Sequence, residues 1–263
     1  NVILFTTDQH RGDYLGIAGH PLMETPNLDA WANHGLYFPN AYTEIPSTTG
    51  ARRVLHMGKG SYHCGAIGYL GAEWDEKQSI AWMMAQAGYH CINVGWRNMN
   101  PRRKLYGYHN VICHDLRKGE DDYMDWLEQQ VGPEAMERGH GSDANGWIGR
   151  PWHLEERLHP TVWTVDVALD QIAKRDPTKP FFIWVSHLRP HSPYDPPQFY
   201  WDMYINEDIP EPPIGDWCEE YRDIELRPDR TAWAGELTPA QTRRCRAGYM
   251  GCISHIDYEM GRL

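Results

Sequence analysis

Apolar runs and their polar boundaries divide this chain. Val2 to Thr7 is a short, mostly apolar run, the pattern of a strand buried on both faces. Tyr89 to Gly95 reads as a second strand, and Phe181-Phe182-Ile183-Trp184-Val185-Ser186 as a third, clearly buried one. Helical spacing recurs elsewhere. Thr25 is a good N-cap with Pro26 at the first helical position, Leu28, Trp31 and Ala32 form one apolar stripe, and Gly35 suits the stop. Arg53 to Met57 suits a short helix ending at Gly58, and Ser79 to Ala87 one ending at Gly88. Further helices are predicted over Asp121 to Gln130, Thr161 to Lys174 (Val162, Val165, Ala168, Leu169, Ile172) and Thr238 to Leu263.

The remainder is polar. Gly60 to Glu76 is Gly-rich and irregular, and Phe199 to Pro213 is a Pro- and acid-rich excursion. Pro101 to Arg157 carries a charged segment at Arg117 to Asp122 and a Gly-containing stretch at Gly139 to Gly149. Apart from its one helix it reads as surface loops and lid, where substrate selectivity commonly resides. No internal repeat or low-complexity tract is visible.

Composition narrows the class. At 263 residues and 41% hydrophobic, the chain can bury a substantial core in one large domain or two small ones. Twelve Trp and fifteen Tyr suit a thick core or an aromatic-lined cleft. A net charge of −11 argues against nucleic acid and anionic membranes as partners. No apolar run approaches the roughly 20 residues of a membrane span, and Asn1 to Phe5 does not read as a signal peptide. The six cysteines show no C-x-x-C pair and read as mostly free, buried thiols, with Cys245 and Cys252 on one helix face. His63-Cys64, His90-Cys91 and Cys113-His114 are adjacent pairs; neighbours in a strand face opposite ways, which argues against a shared thiolate metal site.

The candidate chemistry gathers at three places. In Ile45 to Lys59, Thr48 stands at the mouth of a helix, among unpaired backbone N–H groups and the positive end of the macrodipole. Arg52 is four residues on, one turn away on the same face. A hydroxyl, a helix N-terminus and a bidentate cation suit attack on a tetrahedral oxyanion ester; the plainer alternative is a capping Thr48 and a surface Arg52. Asp8 and Gln9 follow the first strand. A carboxylate at a parallel strand's C-terminal end lies where open α/β sheets bind ligands, and the amide oxygen beside it suits a hard cation; an Asx turn is the alternative. The third strand leads into His187, Arg189 and His191, again at the crevice position.

Thr48-Thr49-Gly50-Ala51-Arg52, followed by Leu55 and Met57-Gly58-Lys59, resembles the C/S-x-P/A-x-R and T-G-R/K signature of sulfatases of the alkaline-phosphatase superfamily. In that family the Cys or Ser becomes formylglycine, an aldehyde that Thr cannot yield. The family opens with a strand ending in D-D or D-Q that binds metal, as Asp8-Gln9 would here. Its T-P-N-L-D-x-L-A helix, matched from Thr25, has a structural role and leads to a strand, here Leu36 to Tyr42. Pro180 to Tyr194 is similar to P-F-F-L-x-V-S-x-x-x-P-H-x-P-Y, whose His binds the oxyanion or protonates the leaving group; His191 inherits that role. After the second strand, sulfatases have G-K-x-H, whereas this chain has Trp96 and Asn98. The sister branch of phosphonate monoester hydrolases and phosphodiesterases also lacks that Lys and His and uses D-Q, although it keeps the Cys.

The resemblance implies an α/β fold with a central, mostly parallel sheet flanked by helices. It covers 1–263 as the N-terminal part of a catalytic domain, incomplete at its C-terminal end because the D-H or D-N second metal-ligand pair is missing. The expected activity is metal-dependent hydrolysis of a small anionic sulfate- or phosphate-type ester, a sulfated or phosphorylated glycan being one source, with the balance towards phosphodiesters and phosphonate monoesters. Thr48, Arg52 and His191 are the expected catalytic residues, Trp96 and Asn98 contact substrate, and Asp8, Gln9 and Thr48 bind a divalent ion (Ca, Mn or Zn). The alternatives are a true sulfuric ester hydrolase with Thr in place of Cys, and a non-catalytic anion-binding homologue.

Overall fold

The computed structural model describes residues 1–66, 73–115, 119–221 and 237–263. The middle of the Gly60 to Glu76 stretch and Arg117 itself lie outside the described residues. The chain forms two compact units, Asn1–Thr6 with Asn40–Ala135 and Trp163–His187, and Thr7–Pro39 with Met136–Val162 and Leu188–Leu263.

The sheet has the order β1 (Val2–Asp8), β4 (Phe181–Pro190), β2 (His90–Trp96), β3 (Asn110–His114). β2 pairs in parallel with β3 and with β4, so that Gly95 stands opposite both Cys113 and Ser186. β4 is buried along its whole length, as its β-branched and aromatic residues require of an inner strand. Among the described residues β1 and β3 are the two edge strands of this sheet, and Val2 and Ile3 of β1 are exposed, where its apolar run predicted burial on both faces. β3 has no counterpart among the expected strands. Val111-Ile112-Cys113 is too short an apolar run to stand out within the polar Pro101 to Arg157 region, yet it completes the sheet.

The helices of the first unit start and stop where their caps dictate. α4 (Ile80–Gln86) begins at Ser79, whose hydroxyl accepts the Trp82 N–H at 2.9 Å. α5 (Asp122–Val131) begins at Asp121, which accepts from Tyr123 and Met124. α2 (Thr48–Met57), the four-residue α3 (Ser61–Cys64) and α6 (Pro160–Ala173) complete the set that flanks the sheet, the last having Val165 and Ala168 fully buried. Much of the aromatic content is core: Trp74 stacks on Tyr106 at 4.3 Å, and Tyr108 packs on Phe182 and Trp184.

In the second unit, α8 (Pro239–Arg262) opens with a reciprocal capping box between Thr238 and Gln241. Its Ala247, Met250 and Ile253 pack with Tyr14, Met23 and Tyr204. α1 (Pro26–His34) buries no residue, and Trp31 is exposed, so the predicted apolar stripe does not anchor it. Its N-terminus is instead held by the Asp257 carboxylate of α8, which accepts the Leu28 N–H at 2.7 Å and the Asn27 N–H at 3.2 Å. Thr25 occupies the N-cap position without a cap bond; its hydroxyl donates to Asp29 and accepts from Gly16. Leu36 to Tyr42 is exposed irregular chain, not a strand, since no described strand pairs with it.

Two loop expectations also fail. α7 (Gln198–Asp202), with Tyr200 and Trp201 buried, overlaps the start of the Pro- and acid-rich excursion expected over Phe199 to Pro213. Glu137, His140, Ser142 and Trp152 are buried in a stretch that composition assigned to the surface. All six cysteines are free and four are buried, as expected; burial pushes the Cys91 and Cys113 thiols up to about 11 and keeps them neutral. Among the described residues no helix is long and apolar enough to cross a membrane.

Gly95 permits the close pairing of β2 with β4. Its φ is +94°, and a Cβ there would fall within contact distance of the Ser186 carbonyl oxygen and 2.7 Å from Thr164 Cγ2. Gly95→Ala is expected to destabilise the protein by about 2–4 kcal/mol in denaturant unfolding; an unchanged midpoint would mean that β2 shifts freely against β4.

Candidate functional site

In the first unit the site is built on α2. Ser47 is the N-cap in extended conformation, Thr48 is the first helical residue, and Gly58 ends the helix at φ 59°, its N–H bonded to Val54 O at 2.9 Å. Gly50 is required by the chain leading in, because a Cβ would meet the Ile45 side chain at 2.9 Å. The helix is therefore a turn longer than Arg53 to Met57 and includes Thr48 and Arg52 one turn apart. Arg52 is only 7% exposed, which removes the surface-charge alternative, and the N-cap position belongs to Ser47, not Thr48.

His56 braces this helix from within. Its Nδ1 lies 2.8 Å from Arg52 O and its Nε2 3.0 Å from Tyr108 Oη, with the ring edge-on to Trp184 at 4.4 Å. A carbonyl only accepts, so Nδ1 carries the proton, and neutral His56 takes the Tyr108 O–H at Nε2. Burial, joined by the charges of Arg97 and Arg52, lowers its pKa to about 4. It is a structural histidine, neutral at pH 7.

The end of β2 contributes Trp96 and Asn98, both buried. Trp96 lies edge-on to His114 with ring centres 6.0 Å apart. Asn98 has φ 42°, and its Oδ1 is 3.5 Å from Thr49 Oγ1, so this unit brings the first turn of α2 together with the end of β2. Between them, Arg97 is fully buried and ties the following loop, donating to Arg102 O at 2.8 Å and to Lys104 O, with Tyr106 under its guanidinium. Neither Thr49 nor Arg97 is singled out by the sequence; Arg97 has strand alternation as its only signal, since it must face away from Trp96 and Asn98.

In the second unit, Asp8 is buried at the end of β1 and Gln9 follows with φ 59°, a conformation few non-Gly residues adopt. Tyr249 of α8 holds it there: its hydroxyl donates to Gln9 O at 2.7 Å and accepts the Arg11 N–H at 2.9 Å. A carboxylate and an amide oxygen are hard donors, and they fit a divalent cation as part of its ligand set. Among the described residues no group of three or more His, Cys, Asp or Glu gathers to supply the rest.

His191 lies in the loop after β4. Its Nδ1 donates to Ser192 O at 2.8 Å, and Ser192 Oγ donates to Ala144 O at 2.6 Å. The three residues of the expected His187, Arg189 and His191 group have different neighbours. His187 packs on Phe5 in the first unit, and Arg189 is buried in an ion-pair network.

A family model described as Sulfatase matches residues 1–263. An arylsulfatase of Clostridium perfringens is 40% identical over 278 residues, covering 100% of this chain and 58% of that protein. An N-acetylglucosamine-6-O-sulfatase of Bacteroides thetaiotaomicron is 24% identical over 212 residues, covering 81% of this chain and 34% of that one. Among solved structures, the phosphonate monoester hydrolase of Agrobacterium radiobacter superposes with a TM-score of 0.75 at 24% identity, over 100% of this chain and 58% of its own. The chain thus spans little more than half the length of the arylsulfatase and of the phosphonate monoester hydrolase, and matches about a third of the N-acetylglucosamine-6-O-sulfatase.

The His56 brace has a pH signature. Its folded pKa lies below the unfolded value, so the unfolded state binds the proton first and stability falls as pH drops from about 6.5 towards 4. The loss attributable to this side chain is about 3 kcal/mol by pH 4. Denaturant unfolding at pH 7 and pH 4 is expected to show a shallower fall in His56→Gln than in the parent; parallel curves would remove the assignment.

Proposed function

The chain belongs to the sulfatase family, and on that premise we propose that it is the N-terminal part of a metal-dependent hydrolase that cleaves a small, singly charged phosphodiester or phosphonate monoester. The observation that carries this reading is α2, which has a hydroxyl in its first turn and the buried Arg52 one turn on. Thr48 is the nucleophile: its oxygen forms the new bond to phosphorus as one ester oxygen departs opposite and takes up a proton, leaving a Thr48 phosphodiester (or, from a phosphonate, a Thr48 phosphonate ester) for water to hydrolyse. Arg52 and the N–H groups of the first turn stabilise charge on the equatorial oxygens. Asp8, Gln9 and the Thr48 oxygen would hold a divalent cation, which would lower the hydroxyl pKa and offset the charge of the scissile group. His191 stabilises or protonates the departing oxygen, and Trp96 and Asn98 contact the substrate.

Two chemical arguments favour phosphorus. Formylglycine sheds sulfate by elimination from its hydrate, a route that a Thr ester lacks. Trp96 in the position of a family Lys also lowers positive charge at the oxyanion, which suits one negative charge better than two. The specific observation for a second reading, hydrolysis of a sulfuric ester, is the 40% identity with an arylsulfatase.

The test is hydrolysis of matched nitrophenyl sulfate, phosphate, phosphodiester and phosphonate by full-length, metal-supplemented protein. Diester or phosphonate is expected to be turned over fastest, with Thr48→Ala at least about 1,000-fold slower. An unchanged rate in Thr48→Ala overturns the mechanism. Preference for sulfate selects the second reading, and silence on all four with metal bound selects a non-catalytic anion binder.

A further inference from the structure

The loop that carries His191 is closed by its own two ends. Arg189 precedes the histidine by two residues and Asp195 follows it by four. Arg189 Nε donates to Asp195 Oδ1 at 2.6 Å and Nη2 donates to Oδ2 at 2.9 Å, a bidentate pair. Nη2 also donates to Glu137 Oε1 at 3.0 Å. Asp195 Oδ2 further accepts from His140 Nε2 at 2.8 Å; because His140 Nδ1 takes the Ser142 N–H at 3.0 Å, the proton of neutral His140 sits on Nε2. Arg189, Asp195, Glu137 and His140 are all buried. Burial alone would raise the Asp195 carboxyl, but the Arg189 charge and the donated hydrogen bonds hold it well below the usual range.

Such a pair is poorly explained by stability. Desolvating two charges offsets most of their attraction, and apolar residues of similar volume commonly serve as well. What the pair does provide is geometry: it fixes the chord of a seven-residue loop, and Glu137 and His140 brace it from a separate stretch of chain. The Ser192 to Ala144 hydrogen bond pins the residue next to His191 to that same stretch.

We propose that the Arg189–Asp195 clasp, braced by Glu137 and His140, is a positioning device that holds the His191 ring, through its Nδ1–H to Ser192 O bond, in the orientation from which the Nε2–H of the protonated ring serves the departing oxygen. The inference rests on the role proposed for His191. It makes Asp195, Arg189, Glu137 and His140 positioning residues, none of which touches substrate.

The experiment is a leaving-group series: aryl esters of one acid whose phenols span several pKa units, hydrolysed by full-length, metal-supplemented parent, His191→Ala, Asp195→Asn and Glu137→Gln. A misplaced proton donor harms poor leaving groups most, whereas a smaller folded fraction slows every ester alike. Asp195→Asn is expected to lose at least about tenfold more rate on the poorest leaving group than on the best, in the same direction as His191→Ala. Glu137→Gln is expected to show a weaker form of the same slope and carries the test if Asp195→Asn does not fold. If His191→Ala slows all esters equally, the role of His191 is wrong. If His191→Ala steepens the series and the folded clasp variants do not, that role stands and the positioning inference is overturned.

Discussion

The first unit depends on the parallel pairing of β2 with β4. In that register Gly95 faces Ser186, and the absence of a side chain at Gly95 lets the two backbones close. The chain beyond then turns through Arg97, whose guanidinium takes up the carbonyls of Arg102 and Lys104. Trp96 and Asn98, which flank Arg97, are buried beside it. A bulkier residue at position 95 would displace them together with the strand, which ties a backbone requirement in the sheet to the chemistry proposed at its end.

Buried polar groups organise both units, in different ways. In the first, a neutral histidine and a tyrosine carry a hydrogen bond from the core to the backbone of Arg52. No charge is desolvated in that relay, so it fixes α2 without the penalty that a buried ion pair carries. In the second, an aspartate of α8 caps α1 and a tyrosine of α8 secures the turn at Gln9. α8 thus serves as more than an apolar wall: its polar residues set the start of one helix and the backbone of a proposed metal ligand.

The parts of the structure legible in the sequence are those whose signal is local. Caps and stops lie where Ser79, Asp121, Thr238 and Gly58 put them, and the aromatic β4 run is unmistakable. Features that depend on neighbours far along the chain were not legible. β1 has the composition of an inner strand but stands at the edge, and β3 is a five-residue strand whose ladder partner lies in β2. The α1 stripe has helical spacing, but Leu28 and Ala32 are only partly buried and Trp31 is exposed, and the helix end is held by Asp257. The same limit applies to the site. Residue type and helical spacing picked out Thr48 and Arg52, while Asp195 and His140, separated by 55 positions, meet only in three dimensions.

Histidine shows why residue type alone leaves roles open. His56, His140 and His191 carry the same imidazole ring, whose ordinary pKa is about 6.5. His56 donates to a carbonyl at Nδ1 and accepts a hydroxyl at Nε2, and burial keeps it neutral, so it works as a strut. His140 has the opposite tautomer, taking a backbone N–H at Nδ1 and giving its proton to a carboxylate, which suits a brace for an ion pair. His191 is only partly buried and is held through Nδ1 by the carbonyl of the next residue. Of these three histidines, only His191 is oriented through one nitrogen without being buried. The environment therefore separates strut, brace and proposed acid before any substrate is considered.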